Sequence, residues 1–588
     1  MSAAVQTLWA ELVAATLADA GIATCAISPG SRSTPLVAAL ARDGRCALPS
    51  IIDERAAAFF ALGEARATGK PVAIACTSGS AAAHYLPAIV EASAAGVPLV
   101  VLTADRPPEL QQCGATQTID QTKLYGDFVR GAFDLGAPVA HAAALRGVRR
   151  KLAQAIQLAC GPIPGPVHVQ VPLCKPLEPA APATAGEHEL AALVSELRAT
   201  RVITAPPRIV GDEAALAELA AAIAGEPHGI VVAGARPPTA TSTREAVFAL
   251  CARAGYPLLA ESASQLRFAS RPPGLAAIDR FDLVLAAPHL AGAPAPKLIV
   301  QLGAEPVAAG WAAAHARLAG ATRWIVADHD YRDPDSRAAG VIVGDVATSF
   351  ARVAEQLAPL EPGGERASFA AAWVAAEQRA AAAIDRAIDV HAGNEAAIVR
   401  AALAAAPGAA VQIGNSLPIR VVDHACAGGA DRVVIAQRGA AGIDGHVASA
   451  AGATRAGRPV LLVLGDVGFA HDVGGLLAAR EARAPLAIVV VDNGGGRIFD
   501  GLPIARADLG DAFERHFITA PELDPAALAR AFGARGTTAT TPRDVARAVA
   551  EALASPGTTV IHAPCTRSGA HDVRRHALEL LISGEFHA

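Results

Sequence analysis

No apolar stretch in this chain approaches the roughly 18 to 20 residues that a membrane-spanning helix needs. The hydrophobic content of 52% and the mean hydropathy of +0.34 are inflated by alanine, so no membrane span is expected. Lysine and arginine form no run, and the net charge is -5 with a pI near 6.4. Without a basic field, nucleic acid is a poor partner and small molecules are the expected ones. The nine cysteines contain no Cys-x-x-Cys pair and no zinc spacing, which favours reduced buried thiols over disulfides, metal or redox chemistry. The first forty residues lack a basic head followed by a cleavable apolar core. Leu8, Leu12 and Ala15 instead share one face of a helix that Gly21 ends, and a cytoplasmic location is expected.

What is present is alternation. Apolar strand-like runs at 22–28, 71–76, 97–104 and 167–171 are each followed by an Ala/Leu/Glu-rich helical segment, the pattern of an α/β fold. At 588 residues the chain is too long for one core and divides on length into about three domains. Two composition breaks read as linkers, the Pro/Ala-rich 172–186 and the stretch EPGGE at 361–365. The expected domains are therefore 1–183, 200–357 and 366–588. The middle one has strand-like runs at 229–233, 257–260, 297–302 and 323–328, and no Gly-x-Gly-x-x-Gly follows any of them. That argues against a bound dinucleotide, and the middle domain reads as scaffold.

The most informative segment is LGDVGFAHDVGGLLAAREARAPLAIVVVDNGGGRIF, 464–499. The run 458–464 reads as a strand ending at Gly465-Asp466, and 485–491 as a second ending at Asp492-Asn493, with one crossover helix between them. Asp466 and Asn493 are 27 residues apart, a spacing suited to a right-handed parallel βαβ unit whose strand ends face one crevice. A hard octahedral cation such as Mg²⁺ would find there the Asp466 carboxylate, the Asn493 side-chain carbonyl, a backbone carbonyl near Gly495, phosphate oxygens and water. Asp and Asn at strand ends are also common in any doubly wound domain. Near residue 54 the chain reads as a strand running into Asp53-Glu54-Arg55, a helix, and a strand ending at Thr77-Ser78-Gly79. Taken alone, Glu54 is a helix cap or a surface-pair residue.

Several segments in fixed order make the pattern specific: SPGSRSTPL (28–36), DERAAAFFALG (53–63), TSGSA (77–81), LTADRPPELQQCGATQTIDQ (102–121), GNSLPIR (414–420), QRGAAGIDG (437–445), GDVGFAHD (465–472) and DNGGGRIF (492–499). Over nearly its whole length the chain resembles the 2-succinyl-5-enolpyruvyl-6-hydroxy-3-cyclohexene-1-carboxylate synthase family of thiamine-diphosphate enzymes, which serves menaquinone biosynthesis. The resemblance implies three doubly wound parallel-sheet α/β domains: a pyrimidine-binding domain, a central accessory domain and a diphosphate- and metal-binding domain. It implies thiamine diphosphate with Mg²⁺ or Mn²⁺ as cofactors, and 2-oxoglutarate and isochorismate as substrates. It also implies a homodimer or homotetramer whose sites are shared between subunits, so that a monomer is inactive.

Residue by residue, the resemblance gives Glu54 the task of holding N1' of the aminopyrimidine, for which an apolar pocket that keeps its carboxyl protonated would suit it. Asp466, Asn493 and Gly495 become the metal ligands, with Gly468 in the same motif, and Asn415 and Ser416 meet cofactor phosphate or substrate. Ile443 resembles the wedge that bends the cofactor, bringing its reacting groups together. Two dianionic substrates bring four carboxylates, and the fork of Arg binds a carboxylate through two charge-assisted hydrogen bonds at any relevant pH. Arg32, Arg106, Arg420 and Arg438 are the candidates, Ser31 and Gln117 add polar contacts, and Ile498 and Phe499 would wall the pocket. Each arginine alone reads as a surface pair and each apolar residue as core packing. The chain departs from the family at Thr116, where Asn is expected, and at Ala308-Ala309, where some relatives have Lys. His84, His446 and His471 have no metal spacing and are expected to be core or cap residues. Rival readings are an acetolactate-synthase-like enzyme for smaller 2-oxo acids and a cofactor-binding homologue without turnover.

Overall fold

A computed structural model of the chain describes residues 2–240, 242–314, 316–359 and 363–584. It contains three sheets, all of whose strand pairs are parallel. The first is built from β1 (Cys25–Ile27), β2 (Val72–Cys76), β3 (Leu99–Asp105), β4 (Ala132–Asp134) and β5 (Pro166–Pro172), in the order β1-β2-β3-β5-β4. The second has β6 (Gly229–Ala233), β7 (Leu258–Ala260), β8 (Leu298–Leu302), β9 (Thr322–Ala327) and β10 (Gly340–Val343), ordered β10-β9-β8-β6-β7. The third has β11 (Ala410–Ile413), β12 (Val434–Ala436), β13 (Val460–Gly465), β14 (Leu486–Asp492), β15 (Arg535–Thr538) and β16 (Thr558–Pro564), ordered β12-β11-β13-β14-β16-β15. Helical crossovers cover both faces of such sheets, which is why their central strands are continuous apolar runs such as VLLVLG and LAIVVVD.

By compactness the chain forms two units. One holds the first sheet and comprises the residues up to Pro207 with Gln437–Gly457 and Asp472–Arg483. There the helix His446–Ala453 lies on the helix Glu54–Thr68 so closely that only glycine fits: a Cβ on Gly63 would be 1.9 Å from the Ser449 carbonyl oxygen, and one on Gly452 would be 1.9 Å from that of Phe60. The other unit comprises Arg208–Ala436, Arg458–His471 and the chain from Ala484, and holds the second and third sheets.

All ten strands expected from the apolar runs are present within one to three residues at either end, and Gly21, at φ 83°, follows the helix Ala3–Asp19. Four details differ. No strand runs into Glu54: only single bridges pair Ala47 with Thr24 and Ser50 with Ile27, and Asp53 caps a helix that begins at Glu54. The crossover after Asp466 is not one helix but the pieces Asp466–His471, Gly475–Ala478 and Ala479–Glu481, interrupted where Gly474 and Gly475 weaken helix propensity. The first linker ends in a helix, because Thr184 and Glu187 form a capping box that opens Ala185–Ala199. Of the second linker, 361 and 362 lie outside the described residues, and Gly364 and Glu365 already belong to the helix Gly364–Val390. No helix among the described residues is long and apolar enough to cross a membrane.

Candidate active site

The third sheet starts at β11, places β12 on one side of it and returns to place β13 on the other. The crevice between the carboxyl ends of β11 and β13 is therefore a topological switch point, the usual ligand site of an open α/β sheet. The loops 414–416 and 465–466 meet there. Asp466 is buried, and its Oδ1 accepts the Val467 N–H at 2.9 Å while its Oδ2 accepts the Gly495 N–H at 2.7 Å. The loop after β14 can make that contact because Gly495 sits at φ 120°, where a Cβ would be 2.4 Å from the Ile518 carbonyl oxygen. Burial first and the neighbouring Asp492 carboxylate second push Asp466 up to about 7. Asp492 is held below the usual range, chiefly by its 2.8 Å hydrogen bond with His562.

Asn493, 6% exposed, donates from Nδ2 to the Glu395 carboxylate at 2.7 Å, while its Oδ1 is buried with no hydrogen-bond partner. A buried amide oxygen is normally satisfied; one left open near a carboxylate, on a loop that also offers the Gly495 carbonyl, suits a hard divalent cation. That carbonyl accepts from Arg497 N at 2.8 Å and keeps a second lone pair. Among the described residues no cluster of three His, Cys, Asp or Glu side chains suits a metal. Burial pushes Glu395 up to about 7, with the Asp466 charge adding to it. At Gly468 a Cβ would come only within 3.9 Å of Leu464, so the chain's own packing does not require glycine there.

Across the same crevice Asn415 is buried and Ser416 adopts φ 73° ahead of the helix Leu417–Ala425. Arg420, half-buried on that helix, reaches back to the Ser416 carbonyl at 2.7 Å. Ile498 and Phe499 are half-buried on the short helix Arg497–Gly501; Ile498 packs on the core and Phe499 meets Phe517 edge-on at 5.5 Å.

In the first unit, four of the candidates gather at the carboxyl ends of β1, β2 and β3. Ser31 is exposed and Arg32 is buried, its N–H donating to Thr77 Oγ1 at 3.2 Å and its guanidinium to the Leu173 carbonyl at 2.8 Å. Arg106 donates to Ser78 Oγ, and Gln117 at φ 56° donates to the Ser78 carbonyl at 3.1 Å. Burial and then the Arg106 charge hold Arg32 below the usual arginine range, with the Asp105 carboxylate acting the other way, so the two cations are neighbours. Thr116 is exposed beside Gln117, whereas Ala308 is buried in the second unit and Ala309 opens the helix Ala309–Ala314.

Glu54 is half-buried at the first turn of its helix. Its neighbour Ile52 is 73% exposed. Arg438 and Ile443, both half-buried, sit on a loop anchored in the same unit by Glu91, whose carboxylate accepts the N–H groups of Gly439, Ala440 and Ala441 at 3.0, 2.7 and 3.2 Å and pairs with Arg66 at 2.6 Å. Burial works against that charge, but Arg66 and the loop N–H groups hold Glu91 below the usual range. His84 and His471 are exposed at helix ends, and His446 is buried and pushed down to about 4 by burial. Sequence reasoning missed Glu395, Glu91, Arg66 and Ser78. The motif TSGSA contained the last, and nothing local singled out the other three.

Two segments match known families: residues 9–124 the "Thiamine pyrophosphate enzyme, N-terminal TPP binding domain" and residues 425–563 the "Thiamine pyrophosphate enzyme, C-terminal TPP binding domain". The chain is 44% identical over 569 residues to the 2-succinyl-5-enolpyruvyl-6-hydroxy-3-cyclohexene-1-carboxylate synthase of Sorangium cellulosum, covering 94% of this chain and 92% of that one. It is 37% identical to the proteins of the same name from Halobacterium salinarum, covering 97% of both chains, and from Geobacillus kaustophilus, covering 96% and 95%. Among solved structures, benzoylformate decarboxylase from Polynucleobacter necessarius superposes with a TM-score of 0.70 at 18% identity over 95% of this chain and 98% of that one, a likeness of fold.

Proposed function

Since the chain belongs to the 2-succinyl-5-enolpyruvyl-6-hydroxy-3-cyclohexene-1-carboxylate synthase family of thiamine pyrophosphate enzymes, we propose that it decarboxylates 2-oxoglutarate and adds the four-carbon remainder to the conjugated alkene of isochorismate, a transferase step of menaquinone biosynthesis. Thiamine diphosphate, when bound, would supply a nucleophilic carbon for the 2-oxo group and an electron sink for the loss of CO₂. The observation that carries the reading is the buried, unpartnered Asn493 carbonyl near Asp466 at the switch point of the third sheet.

Each residue then has a task. Asp466, Asn493 and the Gly495 carbonyl would hold Mg²⁺, or Mn²⁺ in its place, against the cofactor's diphosphate, with Gly468, Asn415 and Ser416 beside it. Glu54 would hold a proton at N1' of the cofactor's ring, and Ile443 would fix the ring's bend. Arg32, Arg106, Arg420 and Arg438 would each take a substrate carboxylate, with Ser31 and Gln117 adding hydrogen bonds. The adjacency of Arg32 and Arg106 supports this, since two guanidinium groups side by side repel and a bound substrate carboxylate would relieve that repulsion. Ile498 and Phe499 would keep water from the reacting carbons.

Assembly belongs to the proposal. Glu54 lies half-buried beside Ile52, 73% exposed, and Leu110, Ile119 and Phe128 are 38%, 37% and 46% exposed on the segment after Arg106. Apolar surface of this kind supports a second copy completing the site in a homodimer or homotetramer.

The test is to incubate the protein with thiamine diphosphate, Mg²⁺, 2-oxoglutarate and isochorismate and to seek the CO₂-depleted adduct by mass spectrometry. Absence of adduct, or preference for pyruvate over 2-oxoglutarate, overturns the reading. Glu54→Gln should retain Mg²⁺-dependent cofactor binding while CO₂ release falls by about 10² to 10⁴; unchanged release would remove Glu54 from its role.

A further inference from the structure

Glu395 is 2% exposed, at the first position of the helix Glu395–Ala404, and the hydrogen bond found for its carboxylate is the one from Asn493 Nδ2 at 2.7 Å. An acid at a helix start is ordinarily a surface residue gaining a little from the helix dipole, and burying it behind one neutral partner costs more than the dipole returns. The adjoining cap needs no help from it, because Asn394 already accepts the Ala397 N–H at 2.8 Å. What Glu395 does fix is the direction of an amide. An Asn side chain has a donor end and an acceptor end of nearly equal size, and only the acceptor end can ligate a cation. Asn493 turns its NH₂ toward Glu395 Oε1 and its Oδ1 away; ionised, as a nearby cation would keep it, the carboxylate offers acceptors alone and so holds the amide in that orientation. That Oδ1 is the buried oxygen without a hydrogen-bond partner.

We propose that Glu395 is a positioning residue for the divalent cation: it locks the Asn493 amide with the carbonyl facing the metal and excludes the flipped orientation. Outer partners of this kind commonly set metal affinity by 10- to 100-fold without touching the ion. The proposal rests on the metal reading of Asp466, Asn493 and Gly495.

The experiment is calorimetric titration of Mg²⁺ into the full-length protein with saturating thiamine diphosphate. Thermal midpoints of the metal-free proteins report folding separately. Glu395→Gln keeps the shape but offers both a donor and an acceptor, so Asn493 can pair in either orientation; the Mg²⁺ dissociation constant should rise about 10- to 100-fold. Glu395→Asp, shorter but still acceptor-only, should lose less. In an Asn493→Asp background residue 493 presents an oxygen on either side and needs no orientation, so E395Q should then change the Mg²⁺ constant by less than about twofold. Equal losses in both backgrounds would mean that Glu395 acts by charge alone and would overturn the proposal, as would wild-type Mg²⁺ affinity in E395Q. Asp466→Ala separates the two levels: if it leaves Mg²⁺ binding intact the metal reading itself fails, whereas its loss with E395Q unaffected sinks only the role of Glu395.

Discussion

The middle and C-terminal sheets reverse their strand order at the same point of their winding, between β6 and β8 in one and between β11 and β13 in the other. In the middle sheet that crevice is filled from within. The chain after β8 folds over Gly234 so closely that a Cβ there would be 2.1 Å from the Ala304 carbonyl oxygen, Glu261 accepts the Val307 N–H, and Trp311 Nε1 donates to Glu305 at 2.9 Å. In the C-terminal sheet the corresponding crevice keeps a carboxylate raised to about 7 and an amide oxygen without a hydrogen bond. One topology could thus serve as scaffold or, as proposed for the third sheet, as binding site, according to whether its loops satisfy their own polar groups or leave them for a ligand.

The largest effect that tests this contrast is at Asp466. D466A should abolish Mg²⁺-dependent cofactor binding and cut turnover by about a thousandfold or more, several kcal/mol of lost metal stabilisation. The same truncation at Glu261 should lower the thermal midpoint and leave the Mg²⁺ dissociation constant alone. A smaller pair of effects concerns the two glycines. G495A forces a side chain into a backbone region at φ 120° and to within 2.4 Å of the Ile518 carbonyl, which should cost about 1–3 kcal/mol in local strain and weaken Mg²⁺ binding roughly 10- to 100-fold. G234A should cost about 1–3 kcal/mol of fold stability by overpacking, with cofactor binding as in the wild type. If G234A weakened Mg²⁺ binding as much as G495A, the two crevices would not be independent.

The open crevice was more legible than the filled one. Asp466 and Asn493 announced themselves because each follows a continuous apolar run, and the ten expected strands are the ones with such runs. The strand Ala132–Asp134 has three residues, mostly exposed, and presents no periodic pattern; the segment before Glu54 looked like a strand because apolar residues flank Pro49, yet only isolated bridges form. Glu395 was invisible because a Glu at a helix start is ordinary, and only tertiary structure brings it to Asn493, 98 positions on. The clamp of Glu91 on residues 439–441 spans about 350 positions and has the same cause. The sequence shows no Gly-x-Gly-x-x-Gly after any strand of the middle sheet, and the way its crevice closes over Gly234 depends on a carbonyl whose position no local pattern records.

The mildest perturbation is pH, and it should divide the two crevices without a mutation. Asp466 and Glu395 are both raised to about 7, by burial first and by neighbouring carboxylates second. For a group whose folded pKa lies above its unfolded value of about 4, the favourable contribution to the fold is complete below that unfolded value and is lost as pH rises through about 7. The metal-free protein should therefore lose thermal stability from these groups between about pH 4 and pH 7. Mg²⁺ binding runs the other way, because the cation takes the ionised Asp466: affinity should be full above about pH 7 and fall by up to about tenfold per unit below it. The increment in thermal midpoint given by Mg²⁺ and thiamine diphosphate together should shrink on acidification even as the metal-free midpoint rises. D466N should remove the Asp466 share of the metal-free slope and reduce that of Glu395, which loses the neighbouring charge, whereas G234A should reproduce the wild-type profile. A Mg²⁺ affinity flat from about pH 5.5 to 8 would mean that Asp466 is ionised throughout and that the crevice is less dry than its burial indicates.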